Sequence, residues 1–238
     1  EAAAAAPHLG EPSVIKTAPG SHPQSVCEDG IDTYALTHNE TSTGVMMSLV
    51  RPAGSGDALV VVDATSAAGG LLWDPAEVDV YYFAPQKSFA SDGGIWFAAC
   101  SPRAIERIEK ISASKRWTPA SLDLKIALDN SKANQTYNTP ALATLIMLES
   151  QVGWMNEIGG LTACNARSQQ SSSILYSWAQ ARSWATPFVV DADKRSHVVG
   201  TIDIAASADG GVDANDICAA LRANGVVDTD SYRKLGRK

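Results

Sequence analysis

The chain has 238 residues, 45% of them hydrophobic and 19% charged, with a formal net charge of −7. That composition is globular, and the acidic balance argues against general nucleic-acid binding, which needs a basic face, while leaving room for a local basic pocket. Apolar runs such as Ala58-Leu-Val-Val-Val62 are strand-sized, far below the ~20 residues of a membrane helix. The four cysteines, Cys27, Cys100, Cys164 and Cys218, form no C-x-x-C pair. Free thiols in a cytoplasmic protein are therefore expected, rather than a zinc site or a disulfide framework.

In chain order, the alanines before Pro7 read as the tail of a helix and lack the basic flank of a signal peptide. With no initial Met and an end at Leu235-Gly-Arg-Lys238, the chain is expected to be a fragment lacking both ends. Residues 8–30 are rich in Pro, Gly and Ser and read as a strand over Pro12–Lys16 plus a long surface loop. Asp32–Thr37 reads as a strand running into the polar cluster His38-Asn-Glu-Thr-Ser-Thr43. Gly54-Ser-Gly56 precedes a strand instead of following one, so it is not a dinucleotide fingerprint. Leu59–Val62 is a β-branched run expected to be buried on both faces. It ends at Asp63 and the small-residue loop Ala64–Gly70. Val78–Phe83 is a further strand, ending at Pro85-Gln86-Lys87, and Ile95–Cys100 is the next.

Ser101-Pro102 opens a helix, with Ser as N-cap and Pro in the first position. A long apolar helix is expected from Pro140 to about Asn156, with Asn138-Thr139 as its N-cap. Gly159-Gly160 follows, then a helix through Ile174–Trp178, apolar segments at Phe188–Val190 and Val198–Ile204, and a helix over Asp213–Asn224 stopped by Gly225. Arg195 and His197 read as ordinary surface residues. The whole is an α/β chain with a domain change near 157–162, giving a first part over 1–157 and a second over 158–238.

Three strand ends each deliver polar residues: Asn39-Glu-Thr41, Asp63, and Gln86-Lys87. Ligands gather at the carboxyl ends of strands in open α/β sheets. A lysine half-buried at such a place is a candidate Schiff-base amine, because desolvation favours its neutral, nucleophilic form; the plain alternative is a lysine snorkelling to solvent. Asp63 closes a β-branched run, where a carboxylate needs a cationic partner. A protonated pyridine nitrogen would serve, and so would a turn whose N–H groups the carboxylate caps.

Val62-Asp-Ala-Thr-Ser-Ala-Ala-Gly-Gly70, followed by Gln86-Lys87, resembles the class V aminotransferases of the pyridoxal 5'-phosphate (PLP)-dependent fold type I. His38-Asn-Glu-Thr41 and Gln135-Thr-Tyr-Asn-Thr-Pro140 are similar to the phosphoserine aminotransferase branch. Phe83–Gly94 and Val226–Arg237 are similar to its actinobacterial members. The resemblance implies a partial large domain with a mainly parallel sheet, plus part of a small α+β domain. It implies that Lys87 links covalently to PLP, that Gln86 and Thr41 contact the cofactor, and that Asp63 pairs with its ring nitrogen. Asn138 and Thr139 would reach the cofactor phosphate of the neighbouring subunit of a homodimer. Arg233 is the candidate for the substrate phosphate, with a solvated basic tail as the alternative.

The implied reaction moves an amino group between glutamate or phosphoserine and 3-phosphohydroxypyruvate or 2-oxoglutarate, in serine biosynthesis and in the analogous step of pyridoxine biosynthesis. Lys87 would shuttle the α-proton, with ping-pong kinetics. Another class V enzyme such as a cysteine desulfurase is the alternative; those carry His before the lysine and use a nucleophilic cysteine. Gln86 and the scattered cysteines count against it. A third reading is an inactive piece that binds no cofactor. The family's glycine-rich phosphate-binding segment, its ring-stacking aromatic and two substrate arginines have no counterpart in this sequence.

Overall fold

The computed structural model describes residues 10–205 and 212–230. Strand β1 (Thr33–Thr37) leads into a small antiparallel hairpin made by β2 (Asn39–Glu40) and β3 (Val45–Met46). The β-branched run forms β4 (Leu59–Asp63), and β5 (Val80–Phe83) and β6 (Phe97–Cys100) follow. The main sheet has the order β1-β4-β5-β6. Its first three strands are parallel and β6 returns antiparallel. Thr37, Asp63 and Tyr82 stand opposite one another in the register, so β1, β4 and β5 all end at one edge.

The period of two in a strand separates two faces. On one, Val60, Val62 and Tyr81 are buried with Leu49, Ala64, Ala67, Ala68, Leu71 and Val78, and Tyr34 and Leu36 pack against them. On the other face Val61 and Asp63 are only half-buried, and Thr33, Ala35 and Thr37 are exposed. The expectation that the run is covered on both faces is thus met on one, and on the other only at Leu59. The expected strand over Pro12–Lys16 is absent: Val14 and Ile15 are 58% and 49% exposed, and no sheet edge receives them.

Helix α1 (Pro102–Ala113) begins as its sequence demands, with Pro in its first turn and the Ser101 hydroxyl accepting from the Ala104 N–H. Helix α2 (Leu124–Lys132), which sequence reasoning did not identify, is capped by Asp123 and braced by a Lys125–Asp129 ion pair at 2.6 Å. Helix α3 (Leu142–Glu157) starts later than expected, behind Ala141, with no side-chain cap. Asn138 and Thr139 therefore do not cap it, because they lie two or more residues before its N-cap position, Ala141. Gly159 and Gly160 turn the chain with φ of +115° and +69° into α4 (Gly160–Gln180). A two-stranded antiparallel ribbon of β7 (Ala185–Pro187) and β8 (Ile202–Ile204) follows. Helix α5 (Ala214–Ala223) has Asp213 as N-cap, and Gly225 lies past its end at φ +82°.

The region after α4 is tied to the hairpin. The Tyr176 hydroxyl donates to the Ser196 carbonyl, the Ser196 N–H to the Gly44 carbonyl, and the Thr201 hydroxyl to the Thr43 carbonyl at 2.7 Å. Arg195 is not an ordinary surface residue: it donates to the Val189 and Val190 carbonyls and lies over the Tyr176 ring. His197 is partly buried with an enclosed, unpartnered Nδ1, and burial lowers its pKa.

Candidate active site

The carboxyl edge of the parallel strands brings three short connections together. The first is the β2–β3 hairpin, which carries Thr41. The Gly44 N–H closes its turn on the Glu40 carbonyl at 2.9 Å. Gly44 has φ +71°, and a Cβ there would stand 2.8 Å from the Thr201 hydroxyl and 2.9 Å from the Val199 carbonyl, so only glycine fits. Asn39, at the hairpin's base, is buried. Its amide donates to the Ser66 hydroxyl, which in turn donates to the Asn39 carbonyl, while its Oδ1 is enclosed without a partner.

The second connection follows Asp63. The Thr65 N–H and hydroxyl both donate to Asp63 Oδ1, at 2.9 and 2.7 Å. The carboxylate therefore caps its own turn on one oxygen. Oδ2 receives no hydrogen bond among the described residues and stays available as an acceptor.

The third connection carries Gln86 and Lys87. The Ala90 N–H donates to the Lys87 carbonyl and the Ser91 N–H to the Pro85 carbonyl, which fixes the turn. Ser88 points inward: a Cβ on Gly70 would lie 3.0 Å from its hydroxyl and 2.6 Å from a Val198 methyl. Gln86 and Lys87 are exposed, in contrast to the half-burial expected. The reason is local. The turn lies beyond the last ladder pair, Phe83 with Phe97, and Ser88 takes the inward position. The Lys87 amine makes no hydrogen bond or ion pair within the described residues. Farther along, the Ser91 hydroxyl donates to the Thr144 carbonyl and the Thr144 hydroxyl to that of Gly93, which docks the first turn of α3 on this connection.

Beneath the edge lies an aromatic and histidine layer that sequence reasoning passed over. Tyr81 stacks on Trp73 at 3.9 Å between centroids and 3° between planes. Phe83 stacks on Phe89 and Phe97. His38 Nδ1 lies 3.1 Å from the Tyr81 hydroxyl. Burial pushes the His38 imidazole down to about 4 and the Tyr81 phenol upward. At the opposite end of the strands, burial raises the Asp79 carboxyl. Hydrogen bonds from Arg51, Val60 and Ser101 outweigh burial and hold it below the ordinary carboxylate range.

Thr41, Asp63, Gln86 and Lys87 thus share one edge. Asn138 and Thr139 are exposed, and no hydrogen bond within the described residues joins them to that edge. Arg233 lies outside the described residues. The signal that could have flagged His38 was its place directly after the alternating strand Thr33–Thr37, which continues an inward-facing row with Tyr34 and Leu36.

The profile of the family Aminotransferase class-V matches residues 21–227. The chain is 58% identical over 239 residues to a phosphoserine aminotransferase of Nocardioides sp., covering 100% of this chain and 63% of that protein. It therefore spans a little under two thirds of the length of the curated relatives it matches. Its fold is that of a crystal structure of a phosphoserine aminotransferase from Cytophaga hutchinsonii, with a TM-score of 0.81, 21% identity, and 98% of this chain and 64% of that one covered. A PLP-bound phosphoserine aminotransferase from Trichomonas vaginalis matches with a TM-score of 0.67 at 15% identity, over 94% of this chain and 61% of that one.

Proposed function

The chain belongs to the class V aminotransferases, and from that premise we propose that it carries the lysine-bearing part of a PLP-dependent phosphoserine transaminase. The observation that carries this reading is the common edge: Thr37, Asp63 and Tyr82 stand in register, and the connections that follow bear Thr41, Asp63 and Lys87. The groups present fit the cofactor. Asp63 has spent one oxygen on its turn and kept the other, as a partner for a ring N–H requires. Lys87 presents an unpaired amine.

When bound, PLP supplies the electron sink for the substrate α-carbon. Lys87 would be the residue that holds the cofactor, and its Nζ would serve as the base that accepts and returns the substrate α-proton. Asp63 would pair with the ring nitrogen, and Gln86 and Thr41 would contact the cofactor. Asn138 and Thr139 reach the cofactor phosphate of a second copy, which makes the active form a homodimer. Arg233 takes the substrate phosphate, for which a planar guanidinium is suited. The stretch to residue 157 belongs to the cofactor-holding domain and the remainder to a smaller one, in a cytoplasmic enzyme. Glutamate and 3-phosphohydroxypyruvate are the substrates, giving 2-oxoglutarate and phosphoserine.

The test is an amino-transfer assay on the full-length protein with PLP, glutamate and 3-phosphohydroxypyruvate. Parallel initial-rate lines as both substrates vary, with loss of turnover in Lys87→Ala, are expected. Release of sulfide from cysteine in place of amino transfer would overturn the substrate assignment.

A further inference from the structure

We propose that His38 is a positioning residue for this site, acting through the Tyr81 hydroxyl to hold the spacing between Asp63 and the Lys87 turn. The inference rests on the cofactor reading above. Groups that grip one ligand from different strands must be held to within about 0.5 Å, and that precision comes from the residues behind them. Here the ladder of the parallel strands ends with Thr37, Asp63 and Tyr82. Past that row the Ala64 N–H still donates to the Tyr82 carbonyl at 2.9 Å, and side chains set the rest of the distance from one connection to the next.

His38 links all three connections. Its N–H donates to the Asp63 carbonyl at 3.0 Å, which ties β1 to the residue that bears the carboxylate. Its own carbonyl accepts from the Met47 N–H at 2.9 Å, which anchors the hairpin that carries Thr41. Its ring reaches beneath the end of β4 to the Tyr81 hydroxyl at 3.1 Å, on the strand that leads into Lys87. His38 is 3% and Tyr81 2% exposed, so no water competes for this bond. The phenol is clamped in turn by its stack on Trp73 and its edge contact with Phe83.

A histidine is a costly way to fill such a place, because a buried polar group without its partner loses more than an apolar residue would. A histidine buried here against Tyr81 makes sense if the hydrogen bond does something that packing alone does not. Burial keeps the imidazole neutral down to about pH 4, so the bond persists across the range in which an aminotransferase works.

The test uses the full-length protein and reads PLP affinity together with the visible circular dichroism of the bound cofactor, which reports how the ring is held. Tyr81→Phe keeps the ring, its stack and its volume and removes only the hydroxyl. It is expected to weaken PLP binding about tenfold, the equivalent of one buried hydrogen bond, and to change the dichroism while the protein stays folded. His38→Gln should act alike, and if it fails to fold, Tyr81→Phe decides alone. In an Asp63→Asn background the same Tyr81→Phe change should cost nothing further, because the positioned group is already gone. Unchanged affinity and dichroism in Tyr81→Phe, or a full tenfold loss that persists beside Asp63→Asn, overturns the positioning role. Unchanged PLP binding in Asp63→Asn alone overturns the cofactor reading itself, and this inference with it.

Discussion

The two oxygens of Asp63 stand in different surroundings. Oδ1 caps the turn through Thr65, and Oδ2 is left for a cationic partner. Asn caps a turn about as well as Asp, so Asp63→Asn should change stability by less than about 1 kcal/mol while PLP affinity falls sharply; equal loss of both in a melting and binding series would refute the division of labour. His38 gives the pH counterpart. Its folded pKa of about 4 lies below the ordinary 6.5, so between those values the unfolded chain binds the extra proton. Stability must therefore fall as pH drops from 6.5 to about 4 and level off, for this group, below that. The loss is at most about 3 kcal/mol. Chemical denaturation at a series of pH values should show this acid limb, and Tyr81→Phe, which leaves the buried ring without its partner, should alter it.

At the scale of elements, the loop after β4 is packed against the lysine turn through glycine. Gly70→Ala puts a methyl 2.6 Å from Val198 and 3.0 Å from Ser88. Overpacking of this kind costs roughly 1–3 kcal/mol, and because Ser88 adjoins Lys87 it should also slow covalent capture of PLP. Stopped-flow absorbance on the variant checks this; parent-like capture would show that the turn tolerates the shift. At the far end of the strands, the Arg51–Asp79 pair at 2.6 Å, with Asp79 3% exposed, braces the sheet. Arg51→Ala leaves a buried carboxylate short of its main partner and should cost about 3 kcal/mol in urea melts, with little effect on PLP affinity once folded.

The main-sheet strands, the Ser101 cap and the Gly225 stop were legible because their signals are local: β-branched runs, Ser101-Pro102, and Gly225 after Asn224. Helix α2 was not, since its apolar residues, Leu124, Ile126, Ala127 and Leu128, are bunched in its first half, too short a run to set a period. The start of α3 was misplaced because Pro140 mimics a first-turn proline. Thr41, Asp63, Gln86 and Lys87 could be grouped from their strand ends, whereas the His38–Tyr81 bond joins residues 43 apart and depends on strand order.

On the scale of the molecule, apolar surface is left uncovered. Helix α3 has apolar residues on more than one side, and Leu142, Ile146 and Trp154 are exposed, although large apolar residues on a helix are normally covered. With Val61 half-covered and the chain spanning 63% of its relative, the 238 residues alone should bind an apolar dye and hold PLP far more weakly than the full-length protein. Equal PLP affinity of the two by fluorescence titration would contradict this. The central claim is that Lys87 is the residue that holds the cofactor. It is tested most directly by loading the full-length protein with PLP, reducing it with borohydride, and mapping the peptides by mass spectrometry. The cofactor's mass is expected on the peptide that contains Lys87 and nowhere else; a label on another lysine, or no label, would contradict the account.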